Sequence, residues 1–140
     1  MANNTFKKRT ILCVDDDHDD LILLREAVAG TEQAFHFKEA HNGREALDYL
    51  QQARITAELP CLIILDINMP LLNGRETLAI IKNDDLLKDI PTVVFTTSFT
   101  DADRMYCKQF ATDLVSKPFS FKELKHTVIT LLGYCSAFIA

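Results

Sequence analysis

The sequence predicts an α/β fold, a doubly wound parallel sheet of five strands with helices on both faces. Three observations carry that expectation. Five short apolar, β-rich runs alternate with amphipathic segments, and strictly alternating βα units pack as a parallel sheet covered on both sides. The run Cys61-Leu62-Ile63-Ile64-Leu65 is unbroken, as expected of a strand buried on both faces. Every run except the second ends in polar residues of specific type, and a parallel sheet gathers such ends on one edge, where open α/β folds bind ligands.

The first strand is Ile11-Leu12-Cys13-Val14, followed by a helix with Leu21, Leu24 and Val28 on one face and Gly30 at its stop. The second strand runs from about Phe35 to Ala40, where Phe35 and Phe37 alternate with His36 and Lys38. His41-Asn42-Gly43 then turns the chain into a helix that buries Ala46, Leu47 and Leu50. Pro60 precedes the third strand, and Asn73-Gly74 resets the backbone before a helix with Leu78 and Ile81 inward. Pro91 introduces the fourth strand, Thr92-Val93-Val94-Phe95-Thr96. Thr100 or Asp101 caps the next helix, whose expected apolar side is Ala102, Met105, Tyr106 and Phe110. The fifth strand, Asp113 to Ser116, ends at Lys117-Pro118, and the last helix begins near Ser120 with Phe121, Leu124, Val128 and Leu131 at helical spacing.

The length of 140 residues suits one domain. A net charge of -5 argues against nucleic-acid or anionic-membrane binding, which need clustered cations. No apolar stretch is long enough to span a bilayer, and the polar, basic start lacks the apolar segment of a secretory signal. A cytoplasmic, stand-alone module is expected: a tail over 1–7, the domain over 8–132, and an apolar tail over 133–140 with no output domain. That last stretch either folds back on the domain or extends a homodimer surface. Cys13, Cys61, Cys107 and Cys135 show no metal-ligand spacing and are expected to be buried, reduced thiols rather than disulfides or a zinc site.

Asp66 closes the third strand, and by itself is either a solvated strand end or a reactive group at the mouth of a site. Asp15-Asp16-Asp17 closes the first strand, Thr96-Thr97-Ser98 the fourth, and Lys117 the fifth. Two carboxylates 4 Å apart repel by about 4 kcal/mol at an effective dielectric of 20. A hard divalent cation removes that cost, and carboxylates with waters and a phosphate suit Mg²⁺. Lys117 offers a point charge and Thr96 a hydroxyl, both suited to phosphoryl oxygens. A carboxylate nucleophile, a metal seat and phosphate ligands together fit in-line phosphoryl transfer. Asp17, Asp19 and Asp20 read as partners of the helix dipole.

These motifs resemble the receiver domain of two-component response regulators from about Lys8 to Leu132. They are Val14-Asp15-Asp16, Leu65-Asp66-Ile67-Asn68-Met69-Pro70 with Gly74, Thr96-Thr97, and Lys117-Pro118-Phe119. The chain looks like the single-domain regulators, and Phe95-Thr96-Thr97-Ser98 is similar to the phytochrome-associated group. The resemblance implies a flavodoxin-like sheet of order 2-1-3-4-5. It makes Asp66 the phosphoacceptor, supplied by a phosphohistidine of a sensor histidine kinase or histidine phosphotransfer protein. It implies Mg²⁺, or Mn²⁺ in its place, held by Asp16 directly, Asp15 through water, Asp66 and the backbone carbonyl of Asn68. Lys117 would pair with Asp66 and then with the phosphoryl group, across a cis bond to Pro118. Thr96 would turn inward to the phosphoryl group, with Thr97 beside it, and so change the binding of a downstream protein partner on the face of the fourth helix, fifth strand and fifth helix. Asn68 and Ser98 would flank the path of the hydrolytic water.

One position departs from the family. Leu114 stands where a strand-five aromatic usually moves with the switch threonine, and Phe99 and Tyr106 are the candidates to replace it. Two other functions compete with this reading. A haloacid-dehalogenase-type phosphatase would use Asp15 of Asp15-x-Asp17 as nucleophile, but its motif calls for Thr or Val where Asp19 stands. A pseudo-receiver that works without phosphorylation is disfavoured because no member of the site is missing.

Overall fold

The computed structural model of the chain describes residues 9–69 and 71–137, with side chains described through 135. Five strands, β1 (Arg9–Val14), β2 (Phe35–Ala40), β3 (Leu62–Leu65), β4 (Thr92–Thr96) and β5 (Asp113–Ser116), alternate with five helices, α1 (His18–Ala29), α2 (Gly43–Thr56), α3 (Gly74–Lys82), α4 (Asp101–Gln109) and α5 (Phe121–Ala137). The sheet is parallel, in the order β2-β1-β3-β4-β5. The expected fold class and strand order are both present. The tail expected over 1–7 lies outside the described residues.

Because side chains alternate across a strand, the sheet divides the core in two. Ile11, Cys13, Leu62, Ile64, Val93 and Phe95 pack against α1 and α5 through residues such as Leu24, Val28, Leu124, Val128 and Leu131. Leu12, Val14, Ile63, Leu65 and Val94 pack on the other face against α2, α3 and α4. Leu87 and Ile90 complete that second layer, fully buried from the irregular segment between α3 and β4, where no periodicity marks them.

Four expectations are corrected. The first concerns α4, which turns Asp103 and Cys107 inward and leaves Met105 68% exposed. A carboxylate can point inward here because Asp103 closes a capping box with Thr100 and pairs with Arg75. The second concerns the end of the chain. α5 continues through Ala137 rather than giving way to a tail at 133, because Cys135 is buried in the core and Tyr134 packs beside it; residues 138–140 lie outside the described residues. Third, Cys61 and Cys135 form a disulfide. Their separation of 74 residues hides the pairing from the sequence, and only the packing of α5 over β3 brings them together. Cys13 and Cys107 are the buried free thiols, and burial raises both above the ordinary thiol range.

The fourth correction is at Lys117–Pro118. No peptide bond among the described residues is cis, so this one is trans. The tertiary amide of an X–Pro bond still favours trans by about 0.5–1 kcal/mol, and the lysine reaches its partners from that backbone.

Candidate functional site

Asp15 and Asp66 are the residues that follow the last positions of β1 and β3, paired in register as Val14 and Leu65. Both lie at the carboxyl edge of the sheet and are buried, 6% and 7% exposed. Gly74 shapes the loop after Asp66. A side chain there would collide with the backbone of Asp66 and Ile67, and its absence lets the start of α3 donate a 2.9 Å hydrogen bond to the Ile67 carbonyl. Gly74 therefore serves close approach and not a left-handed turn, which falls instead on Leu71 with φ of 63°.

Three carboxylates meet at this edge. One oxygen each of Asp15, Asp16 and Asp66 lies within 4.8 Å of the others, with Asp16 exposed at the rim. This all-oxygen donor set is of the kind that holds Mg²⁺ or Mn²⁺. Asp17 caps α1 by accepting from the amides of Asp19 and Asp20, as expected of a helix-dipole partner.

Lys117, just past the end of β5, offsets part of the cluster's charge. Its Nζ stands 2.5 Å from Asp15 Oδ2, 2.9 Å from Asp66 Oδ2 and 2.8 Å from Asp20 Oδ2. Burial alone would lower the lysine, but the hydrogen bonds it donates to these carboxylates outweigh it and hold the ammonium above its ordinary range. Burial pushes the Asp15 carboxyl up to about 6, against the opposing pull of Lys117. The second oxygen of Asp66 accepts from the Asn68 amide at 3.2 Å, and that of Asp15 from the Asp17 amide at 3.0 Å. Both carboxylates are thus held at two points.

The β4 side is arranged differently. Thr96 is buried, and its hydroxyl donates to the Ser98 carbonyl at 3.2 Å, while Thr97 and Ser98 are exposed. The Asn68 side chain donates to the same carbonyl at 3.1 Å, so Asn68 and Ser98 touch across the opening above Asp66. Leu114 packs half-buried into the α2–α4 layer beside Phe99, Tyr106 and Phe110. The Tyr106 hydroxyl donates to the Arg75 carbonyl at 2.8 Å, and Arg75 grips Asp103 at 2.6 Å. Burial would raise Asp103, yet the Thr100 amide and Arg75 hold it below the usual carboxylate range. Asp16, Asn68, Arg75 and Asp103 line a cleft of about 410 Å³ beside the carboxylates.

Sequence reasoning missed two parts of this arrangement. Asp20 reads as a helix-dipole partner but also binds Lys117, and Arg75–Asp103 ties α3 to α4. Helical spacing from Asp17 could have shown that Asp20 faces the sheet edge; Arg75 and Asp103 carry no local signal. A surface concavity of about 600 Å³ is lined by Arg25, Phe35 and Phe37. It lies toward the start of β2, at the opposite end of the sheet, and gathers no comparable chemistry.

Comparison with known proteins agrees with the geometry. Residues 11–129 match the response regulator receiver domain family. The probable methanogenesis regulatory protein FilR2 of Methanothrix harundinacea is 35% identical over 127 residues, covering 89% of this chain and 81% of that protein. The crystal structure of the phosphorylated cyanobacterial phytochrome response regulator RcpA aligns with a TM-score of 0.84 at 31% identity, covering 96% of this chain and 98% of that one. The Mn²⁺-bound form of response regulator Rcp1 aligns with a TM-score of 0.80 at 30% identity, covering 94% and 97%. The similarity to phytochrome-associated regulators is therefore present, and the phosphatase alternative has no support.

Proposed function

Because the chain belongs to the response regulator receiver domain family, we propose that Asp66 accepts a phosphoryl group from the phosphohistidine of a sensor histidine kinase or phosphotransfer protein. One observation carries the residue assignment: Lys117 bridges Asp66 to Asp15 beside a cluster of carboxylates suited to a divalent cation.

An Asp66 oxygen attacks phosphorus in line as the phosphorus–nitrogen bond breaks, and the imidazole leaves with the electron pair. The Asn68 amide and Lys117 hold the attacking carboxylate still, which converts an encounter into a positioned reaction. Asp15, Asp16, Asp66 and the Asn68 carbonyl would hold Mg²⁺ or Mn²⁺, which when bound offsets the clustered negative charge. The bound Mn²⁺ of Rcp1 is consistent with either ion. Lys117 then donates to a phosphoryl oxygen in place of Asp66. Thr96 exchanges its bond to the Ser98 carbonyl for one to the phosphoryl group, and Thr97 moves with it. This draws in the β4–α4 segment and alters the surface of α4, β5 and α5 that a downstream protein reads. Asn68 and Ser98 set the access of the water that later hydrolyses the acyl phosphate, so the protein is a switch that turns over its own phosphate rather than an enzyme acting on other molecules. Its place of action is the cytoplasm, where such kinases present their phosphohistidine; no helix among the described residues is long and apolar enough to cross a membrane.

Acetyl phosphate and Mg²⁺ are expected to add one acid-stable, base-labile phosphate that is absent in Asp66→Asn. Labelling that persists in that variant refutes the assignment.

A further inference from the structure

We infer that Asp20 is a positioning residue for phosphoryl transfer: its carboxylate anchors the Lys117 ammonium so that one N–H stays aimed at the phosphoryl position. The inference rests on Asp66 as the phosphoacceptor.

Lysine ends in a point charge on a flexible stem, with three donors and no geometry of its own. Here the three donors meet three acceptors, on Asp15, Asp20 and Asp66. Two of those acceptors belong to the carboxylate cluster that suits a cation, and Asp20 does not. Phosphorylation turns one Asp66 oxygen into the bridging oxygen of an acyl phosphate, and that leg of the tripod passes to a phosphoryl oxygen. Asp15 would share its charge with a bound metal ion. Asp20 alone keeps a full charge at an unchanged place.

That place is well defined. Asp20 sits in the first turn of α1, and its own amide donates 3.2 Å to Asp17 Oδ1. Around the lysine on this side, Leu23, Leu24, Phe95 and Leu124 help line a cavity of about 50 Å³. These apolar walls offer the ammonium no substitute partner. Without Asp20 the third donor loses its anchor, and the lysine is free to turn about Asp15.

The test is the rate of Asp66 phosphorylation by acetyl phosphate and Mg²⁺, measured for Asp20 variants with Lys117 intact and with Lys117→Ala. Asp20→Ala should slow the reaction about tenfold, the scale of a misplaced charged donor. Asp20→Glu, which keeps the carboxylate, should recover most of the loss. In the Lys117→Ala background, removing Asp20 should change nothing further, because coupled residues are not additive. Mg²⁺ affinity should stay within about twofold, since Asp20 is not a ligand. The near-isosteric Asp20→Asn carries the same comparison if the alanine variant folds poorly. A wild-type rate in both Asp20→Ala and Asp20→Asn, or the same fractional loss with and without Lys117, overturns the inference. Both results leave the role of Asp66 standing; that role fails separately, if the wild-type protein takes no phosphate on Asp66.

Discussion

The two sides of the sheet's carboxyl edge are built to different standards. On the α1 and α5 side, Asp15, Asp66, Asp20 and Lys117 form a closed set of ion pairs, and a disulfide ties Cys61, beside β3, to α5. On the α3 and α4 side, the Thr96 hydroxyl donates to a carbonyl of its own loop. There α4 is held to α3 by Arg75–Asp103 and the Tyr106 hydroxyl, contacts near the surface. The Arg75 end of that pair is 39% exposed, so the pair contributes less than Lys117–Asp15, which is buried at both ends and costly to sever. On the proposed mechanism, the first side holds and the second moves.

The largest expected effect tests how rigidly the holding side is pinned. Replacing Cys61 and Cys135 together by serine removes a cross-link spanning 74 residues, for which chain entropy sets a ceiling of about 4.5 kcal/mol. Urea unfolding should show a loss of that order, and an unchanged midpoint would mean α5 is held by packing alone. Next comes Lys117→Ala, which strands buried carboxylates and should cost about 3 kcal/mol without metal. Millimolar Mg²⁺ should then raise the melting temperature more than it does in the wild-type protein, by binding linkage. Equal shifts in the two proteins would show that lysine and cation do not share the cluster.

Arg75→Ala probes the moving side. Its pair with Asp103 is partly exposed, so the expected cost is about 1 kcal/mol, with Mg²⁺ affinity unaltered. A loss as large as that of Lys117→Ala would erase the contrast between the two sides. The smallest effect lies at the outer edge of α5, where the Tyr134 hydroxyl donates to Asp113. That bond, aided by burial, pushes the phenol up to about 12. Its stabilisation is therefore complete below about pH 10, the unfolded value, and is lost as pH rises through about 12. In an ultraviolet titration, the late ionisation of Tyr134 should return toward about 10 in Asp113→Asn.

Much of this was legible in local sequence. The unbroken apolar run marked β3, and helical spacing gave the buried faces of α1, α2, α3 and, apart from the 40% exposed Phe121, α5. The strand-end residues Asp15, Asp66 and Lys117 converge as expected, since a parallel sheet leaves them no other edge. What misled was α4, where a buried carboxylate defeats hydropathy because its capping and Arg75 partners satisfy it. Leu87 and Ile90 were missed because an irregular segment carries no period.

The sequence by itself determined the alternation of strands and helices, and with it the edge on which the reactive side chains gather, because periodicity and strand ends are local properties. Only the tertiary structure decided that Asp20 completes the lysine's shell, that Cys61 meets Cys135, that Lys117–Pro118 is trans, and that Arg75 ties α3 to α4. Three of these join elements remote in the chain, and the fourth is a choice between two isomers of similar energy. Each is settled by packing, which no local pattern encodes.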